Sequence, residues 1–132
     1  MFRLVILIVF FSVVSCSISE KEIHGVYIFE NKYIVDSLTV LDDFSYVRRI
    51  FSINNNMNLY SFKGRWSYSD EHIIFKDFFN KYDLGNDVYR DGKIKGQTIN
   101  TGLYPNKTIF GTIVLDIDRF NSFHKTSCPR SR

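Results

Sequence analysis

The stretch Leu59-Tyr60-Ser61-Phe62-Lys63-Gly64-Arg65-Trp66-Ser67-Tyr68 places Tyr60, Phe62, Trp66 and Tyr68 at alternate positions, with Ser61, Lys63, Arg65 and Ser67 between them. Successive side chains of a β-strand point to opposite faces, so this alternation describes a strand with one apolar face and one wet face. Gly64 falls on the apolar face. A glycine inside a strand marks a bend, a bulge or a close approach. Between hairpins of a curling sheet, the bend is the expectation.

The same short-strand grammar runs to either side. Toward the N-terminus, His24 to Glu30, Tyr33 to Leu41 and Ser45 to Ile53 read as strands, separated by Asn31-Lys32 and Asp42-Asp43. Asn and Asp side chains bond nearby backbone amides and favour turns. Leu38 and Val40 share one face of the second strand. Val47, Phe51 and Ile53 share one face of the third, and Arg49 falls among them. A buried unpaired Arg costs several kcal/mol, on the order of what breaking a buried ion pair costs. Arg49 is therefore expected at a barrel mouth or beside a buried carboxylate. Toward the C-terminus, Ser69-Asp70-Glu71 turns the chain into a strand from His72 to Phe79, with Ile73 and Phe75 on one face. The stretch from Asn80 to Asn106 is rich in glycine and should hold only short strands, at Val88-Tyr89-Arg90 and Lys93 to Asn100. Thr108 to Asp118 reads as a strong strand with Ile109, Ile113, Leu115 and Ile117 on one face, and Arg119 to Lys125 as the last.

Aromatic residues make up 17% of the chain against only 2 Pro and 7 Gly, a balance that suits pleated surfaces. Eight or nine short strands at regular spacing predict an all-β antiparallel meander, and closure into a small barrel would remove its exposed edges. One domain of this size can bury a core without staples.

The N-terminus carries a different signal. Arg3 precedes an apolar run from Leu4 to Val14, shorter than the ~20 residues that span a bilayer as a helix. Polar and acidic residues follow, as after a cleaved signal peptide. Val13-Val14-Ser15-Cys16 resembles the lipobox of bacterial lipoproteins. That resemblance implies cleavage before Cys16, a diacylglyceryl thioether on its sulfur and an N-acyl chain on the new amine. Two or more acyl chains hold a protein stably on a membrane. The expected layout is a signal peptide over 1–15, a lipidated cysteine and short tether over 16–23, the β domain over 24–125 and a flexible tail over 126–132. Glu20 and Glu22 resemble acidic signals that display lipoproteins at the cell surface in some bacterial groups. They read equally as a solvated linker. With Cys16 acylated, Cys128 has no partner within the chain.

Within the domain, Gly25-Val26-Tyr27, Asp36-Ser37-Leu38-Thr39-Val40, Tyr46-Val47, Gly64-Arg65-Trp66-Ser67-Tyr68 and Ile73-Ile74-Phe75 look like the layout of small lipocalin-like bacterial lipoproteins. There, a G-x-W-x-Y strand follows a D-S-L-x-x-x-x-D-x-x-Y strand. The resemblance implies a lipocalin-like barrel in the bacterial envelope, anchored to the outer membrane. Such barrels commonly hold a small apolar ligand, and Tyr60, Phe62, Trp66 and Arg49 are the residues that could line its site. The same alternation describes a barrel filled by its own side chains. That leaves a second reading, an envelope structural or protein-interaction lipoprotein.

Other chemistry is sparse. Lys plus Arg is 17 against 14 Asp plus Glu, a net +3 that is too small to point to nucleic acid. His24, His72 and His124 are dispersed, so no metal site is expected. Asp116 and Asp118 share a polar face without the EF-hand pattern. No G-x-S-x-G elbow and no phosphate-cradling glycine loop is present, so neither an enzyme nor a cofactor is expected. Asn106-Lys107-Thr108 fits a glycosylation sequon but reads more simply as a turn after Pro105.

Overall fold

A computed structural model describes residues 17–79, 98–116 and 122–126. Eight antiparallel strands follow one another around a closed barrel, with β8 returning to β1. They are β1 (Gly25–Glu30), β2 (Ile34–Val40), β3 (Ser45–Ser52), β4 (Asn58–Ser69), β5 (His72–Phe79), β6 (Thr98–Lys107), β7 (Ile113–Asp116) and β8 (Ser122–Lys125). The all-β meander read from the sequence is thus present as a small closed barrel. Cys16, Cys128 and the stretch Val88-Tyr89-Arg90 lie outside the described residues.

Turn chemistry acts where the sequence placed it. Asn31 Oδ1 accepts hydrogen bonds from the N–H groups of Tyr33 (2.8 Å) and Ile34 (3.0 Å) between β1 and β2. Asp43 Oδ1 accepts from the Ser45 N–H at 2.9 Å at the start of β3.

The alternation of β4 survives in three dimensions. Trp66 is buried, and Tyr60, Phe62 and Tyr68 pack against the core. Its Gly64 permits a close approach rather than a bend. Gly64 faces Tyr46 across the β3–β4 ladder, and a Cβ at Gly64 would lie 2.5 Å from the Tyr46 ring. Two residues later β4 leaves β3 and pairs with β5, from Trp66 to Ser69. Trp66 Nε1 donates to the Leu41 carbonyl at 2.9 Å and ties this corner to the β2–β3 turn.

The inward face of β3 differs from the expectation. Tyr46, Arg48 and Ile50 point into the core, while Arg49 is exposed. Both faces of this strand carry apolar residues, so pattern alone leaves the parity open. The presence of a carboxylate inside the barrel settles it, as described below.

On β5 the ladder with β6 shifts between Phe75 and Phe78. Phe75 faces Thr101 and Phe78 faces Ile99, so Lys76 and Asp77 together oppose Asn100. This is a β-bulge, with Asp77 in the left-handed region at φ 54°. Its effect is to turn Phe75, Phe78 and Phe79 all into the core, where each is at most 2% exposed.

The expected strand from Thr108 to Asp118 is instead the end of one hairpin. β6 runs to Lys107, residues 108–112 turn, and β7 begins at Ile113. Thr108 N donates to the Thr112 carbonyl and Gly111 N to the Thr108 carbonyl, both at 2.9 Å. Gly111 sits at φ 80°, a conformation that glycine adopts freely. Ile109 therefore lies at a turn tip and is 93% exposed. Pro105 is tolerated within β6 because pairing with β5 ends at Leu103, and Pro105 faces β7 alone.

Residues 17–23, read as a tether, belong to the fold. Glu20–Ile23 form one helical turn, α1, and Ile18 and Ile23 are buried. Tyr27 Oη donates to the Ile23 carbonyl at 2.5 Å and Tyr68 Oη to the Ile18 carbonyl at 2.8 Å. These bonds lay the segment across the barrel end where β1 starts. The linker reading failed because its two apolar residues, Ile18 and Ile23, found a mouth to cover.

Gly64→Ala tests the close approach. Overpacking of this kind costs about 1–3 kcal/mol. Urea unfolding should show a lowered midpoint with an unchanged slope; an unchanged midpoint would remove the packing role assigned to Gly64.

Candidate functional site

The centre of the barrel holds an ion pair rather than an open space. Asp36 on β2 and Arg48 on β3 are both at most 1% exposed. In the β2–β3 ladder Asp36 faces Ile50 and Leu38 faces Arg48, so the two charges are diagonal neighbours on the inner face. Arg48 Nη2 donates to Asp36 Oδ2 at 2.6 Å, and Nε lies 3.1 Å from both carboxylate oxygens. Arg48 Nη1 donates to the Phe79 carbonyl. The guanidinium also lies over the Phe78 ring, 4.3 Å from its centroid, and near the rings of Phe79 and Phe123.

Every donor direction of a buried guanidinium needs an acceptor or a π face. Here the bulge on β5 supplies both, since it turns the Phe78 ring and the Phe79 carbonyl inward. Burial pushes the Asp36 carboxyl above its usual range, and the guanidinium beside it pulls it back. Around the pair, Tyr46 touches Phe75 and Phe78 at centroid distances of 5.0 and 5.9 Å, and Phe75 touches Phe78 at 5.1 Å. Tyr46 Oη donates to the Lys76 carbonyl, freed by the bulge, at 2.7 Å. Burial raises the Tyr46 hydroxyl well above the ordinary tyrosine value.

The four residues read as a ligand lining do not form one lining. Trp66 is buried at the α1 end and bonded to Leu41. Tyr60 and Phe62 are half-buried and stacked, with centroids 6.3 Å apart, and Tyr60 also touches Phe79 at 5.6 Å. Arg49 lies on the outer wall, where with Ser37, Thr39, Leu41 and Val47 it lines a shallow cleft of about 220 Å³. Arg48 was the functional-looking residue that pattern reading passed over. The available signal was Asp36, which has the same parity as Leu38 and Val40 on a strand directly beside it.

A larger cleft of about 430 Å³ opens at the α1 end, between α1, the β6–β7 turn and the end of β8. It is lined by Glu22, Lys107, Phe110, Ile113 and Lys125, among others. Lys107 Nζ pairs with Glu22 Oε1 at 2.6 Å, and Lys125 Nζ donates to the Glu22 carbonyl. Glu22 Oε2 accepts from the Ser19 N–H at 2.9 Å, closing a capping box at the start of α1. The bond from Lys107, followed by those from Ser19, holds the Glu22 carboxyl down at about 2. Burial lowers Lys125, with Glu22 opposing. Glu22 is thus engaged in holding the helical turn, not a free linker charge.

Among the described residues, no group of three or more His, Cys, Asp or Glu is gathered that could hold a metal ion. Asp116 is occupied by Asn106 Nδ2 at 2.6 Å and Ser122 Oγ at 2.7 Å; Asp118 lies outside the described residues. No helix among the described residues is long and apolar enough to cross a membrane. No protein-family model matches the chain, and neither the curated proteins nor the solved structures compared with it provide a match.

The buried pair yields a double-mutant test. Asp36→Leu leaves Arg48 buried and uncompensated, at a cost of about 3–5 kcal/mol. Adding Arg48→Met should recover most of that loss, short of about 1–3 kcal/mol for the orphaned Phe79 carbonyl. Arg49→Ala should stay within about 0.5 kcal/mol of the parent. Equilibrium unfolding of five proteins, the parent, each single core variant, the double variant and Arg49→Ala, reads these values, and strictly additive effects of the two core changes would rule out the coupling.

Proposed function

We propose that the chain is a lipid-anchored protein of the bacterial envelope, a non-catalytic lipoprotein whose barrel works through its outer surface as a structural or protein-interaction module. The observation that carries the choice of surface over interior is the filling of the barrel around Arg48. The ion pair and the rings of Tyr46, Phe75, Phe78 and Phe123 occupy the space that an apolar ligand would need. The clefts lined by described residues open at the α1 end and on the outer wall instead. A drug-sized ligand wants a concave, mostly apolar pocket of about 300 Å³ or more. The α1-end cleft has the volume but is lined by the Glu22, Lys107 and Lys125 charges.

Support for the anchor comes from the sequence: Val13-Val14-Ser15-Cys16 in a lipobox arrangement, immediately before the folded segment that begins at Ser17. The layout similar to lipocalin-like lipoproteins agrees with this reading. A hollow, ligand-carrying barrel is the alternative that the resemblance suggests, and the half-buried Tyr60–Phe62 stack is the feature that favours it.

Native mass spectrometry of the purified protein separates the two. The bare polypeptide mass, with its lipid modification alone, is the expected result; a retained small apolar molecule would return the interior to function. The anchor has its own test. Cys16→Ser should release the protein from membranes as an unprocessed precursor, and unchanged membrane retention at mature size would overturn the lipoprotein reading.

A further inference from the structure

We propose that the α1 end of the barrel is seated on the bilayer, with the Ile109–Phe110 tip of the β6–β7 turn inserted at the boundary between headgroups and acyl chains. This rests on the reading of Cys16 as the lipidated residue and says which face of the domain that lipid holds against the membrane.

Antiparallel order puts three turns at the end where β1 starts: 41–44, 70–71 and 108–112. The third carries no charge, whereas the first sets its acids beside a partly exposed Phe44. Asp42 and Asp43 stand in the first, and Asp70 and Glu71 form the second. The third presents Ile109 and Phe110, which are 93% and 87% exposed, more than any other large apolar residue described. Their neighbours Thr108, Gly111 and Thr112 are small, so the two side chains project from a narrow hairpin. The cleft beside the tip is lined by the Glu22, Lys107 and Lys125 charges, so the tip itself is the apolar feature of this sector. It suits a deformable apolar medium, where burial is non-directional and scales with area.

Position makes the bilayer the occupant. The described chain begins at Ser17, which lines a second cleft with Ile18, Tyr68, Glu71, Asn106 and Lys107. Cys16 is one residue before Ser17, within ~3.8 Å along the backbone. Ile109 is two residues beyond Lys107, within roughly 7 Å of extended chain. Ser17 and the apolar tip therefore share one sector of the same barrel end, and a lipid on the preceding residue is tied to that sector by a single peptide link. Lys107 and Lys125, both bonded to Glu22, flank the tip's cleft. Glu71 of the 70–71 turn borders the Ser17 cleft, whereas Asp42 and Asp43 stand in the β2–β3 turn, across the barrel from the tip. The seat is therefore tilted, with the β6–β7 tip down and the Asp42–Asp43 turn up in the headgroup water. The opposite end, with the exposed Ile53 of the β3–β4 turn, faces away.

The test uses the full chain, recovered with lipid attached and reconstituted into vesicles of phosphatidylcholine, with or without bromine on the acyl chains. Phe110→Trp adds a reporter at the tip and Ile53→Trp one at the far end. Each is read as the difference from the parent, which keeps Trp66. The Phe110→Trp emission should shift to the blue on reconstitution and lose most of its intensity in brominated vesicles. The Ile53→Trp emission should do neither. A tip signal as red and as unquenched as the far-end signal, in protein that co-floats with vesicles, overturns the seating while leaving the anchor intact. Failure to co-float, or equal flotation of the Cys16→Ser chain, is instead a failure of the anchor reading. In the Cys16→Ser case, tip quenching that persists still supports the seating, because it shows Phe110 entering lipid without the acyl chains.

Discussion

The contact between Arg48 and Asp36 is the constraint from which the rest of the barrel can be understood. Two charges removed from water are costly, and their attraction offsets this only when geometry is good and the remaining donors are satisfied. Asp36 answers two sides of the guanidinium, the Phe79 carbonyl a third, and the Phe78 ring covers a face. The last two depend on the bulge at Lys76–Asp77. Without that extra residue, Phe78 would point outward and the pair would lack its lid. The bulge in turn frees the Lys76 carbonyl, which Tyr46 takes, and Tyr46 can lie there because Gly64 has no Cβ. Strands β2, β3, β4 and β5 are thereby locked in mutual register by one polar cluster and one missing methyl group.

That locking packs the described interior around Arg48 with side chains from β2, β3 and β5, and it draws functional interest to the ends and walls. The α1 end is closed by a short segment that sequence pattern treats as a linker. Its hold is distributed: Ile18 and Ile23 cover apolar surface, Tyr27 and Tyr68 bond its carbonyls, and Glu22 connects it to β6 and to its own capping box. A lipid attached just before Ser17 would therefore pull on a folded element and orient the domain, instead of trailing it on a flexible stalk.

Much of this was legible at the level of strands. The aromatic alternation of Leu59 to Tyr68, the turns at Asn31 and Asp43, and the strand from His72 to Phe79 all stand where they were read. The residues of the G-x-W-x-Y and D-S-L patterns turn out to touch across the fold. Gly64 lies under Tyr46, Trp66 bonds the chain just past Val40, and Asp36 meets Arg48. Two readings failed for definable reasons. Arg49 shares a side with Val47 and Phe51 in the sequence pattern and so was expected at a barrel mouth or beside a buried carboxylate, but a one-residue parity error moves every side chain of a strand to the other face. Thr108 to Asp118 was read as one strand because Ile109 continues the alternation of Ile113 and Leu115. The left-handed Gly111 breaks the strand there, and spacing carries no record of φ.

By itself, the sequence determined the class of the domain and its antiparallel order, and it sets the apolar run before Cys16 apart in composition. Those follow from local properties: side-chain period, turn-forming residues, and an apolar run that ends at a cysteine. Only the tertiary structure decided which arginine is buried, that β5 bulges to receive it, and that α1 closes one end. It alone also brought Lys107, two residues before the exposed Ile109, to the cleft that Ser17 lines. The reason is physical. Burial of a charge depends on whether a counter-charge on another strand lies within hydrogen-bond reach, and a distance of that kind exists only once the barrel has closed.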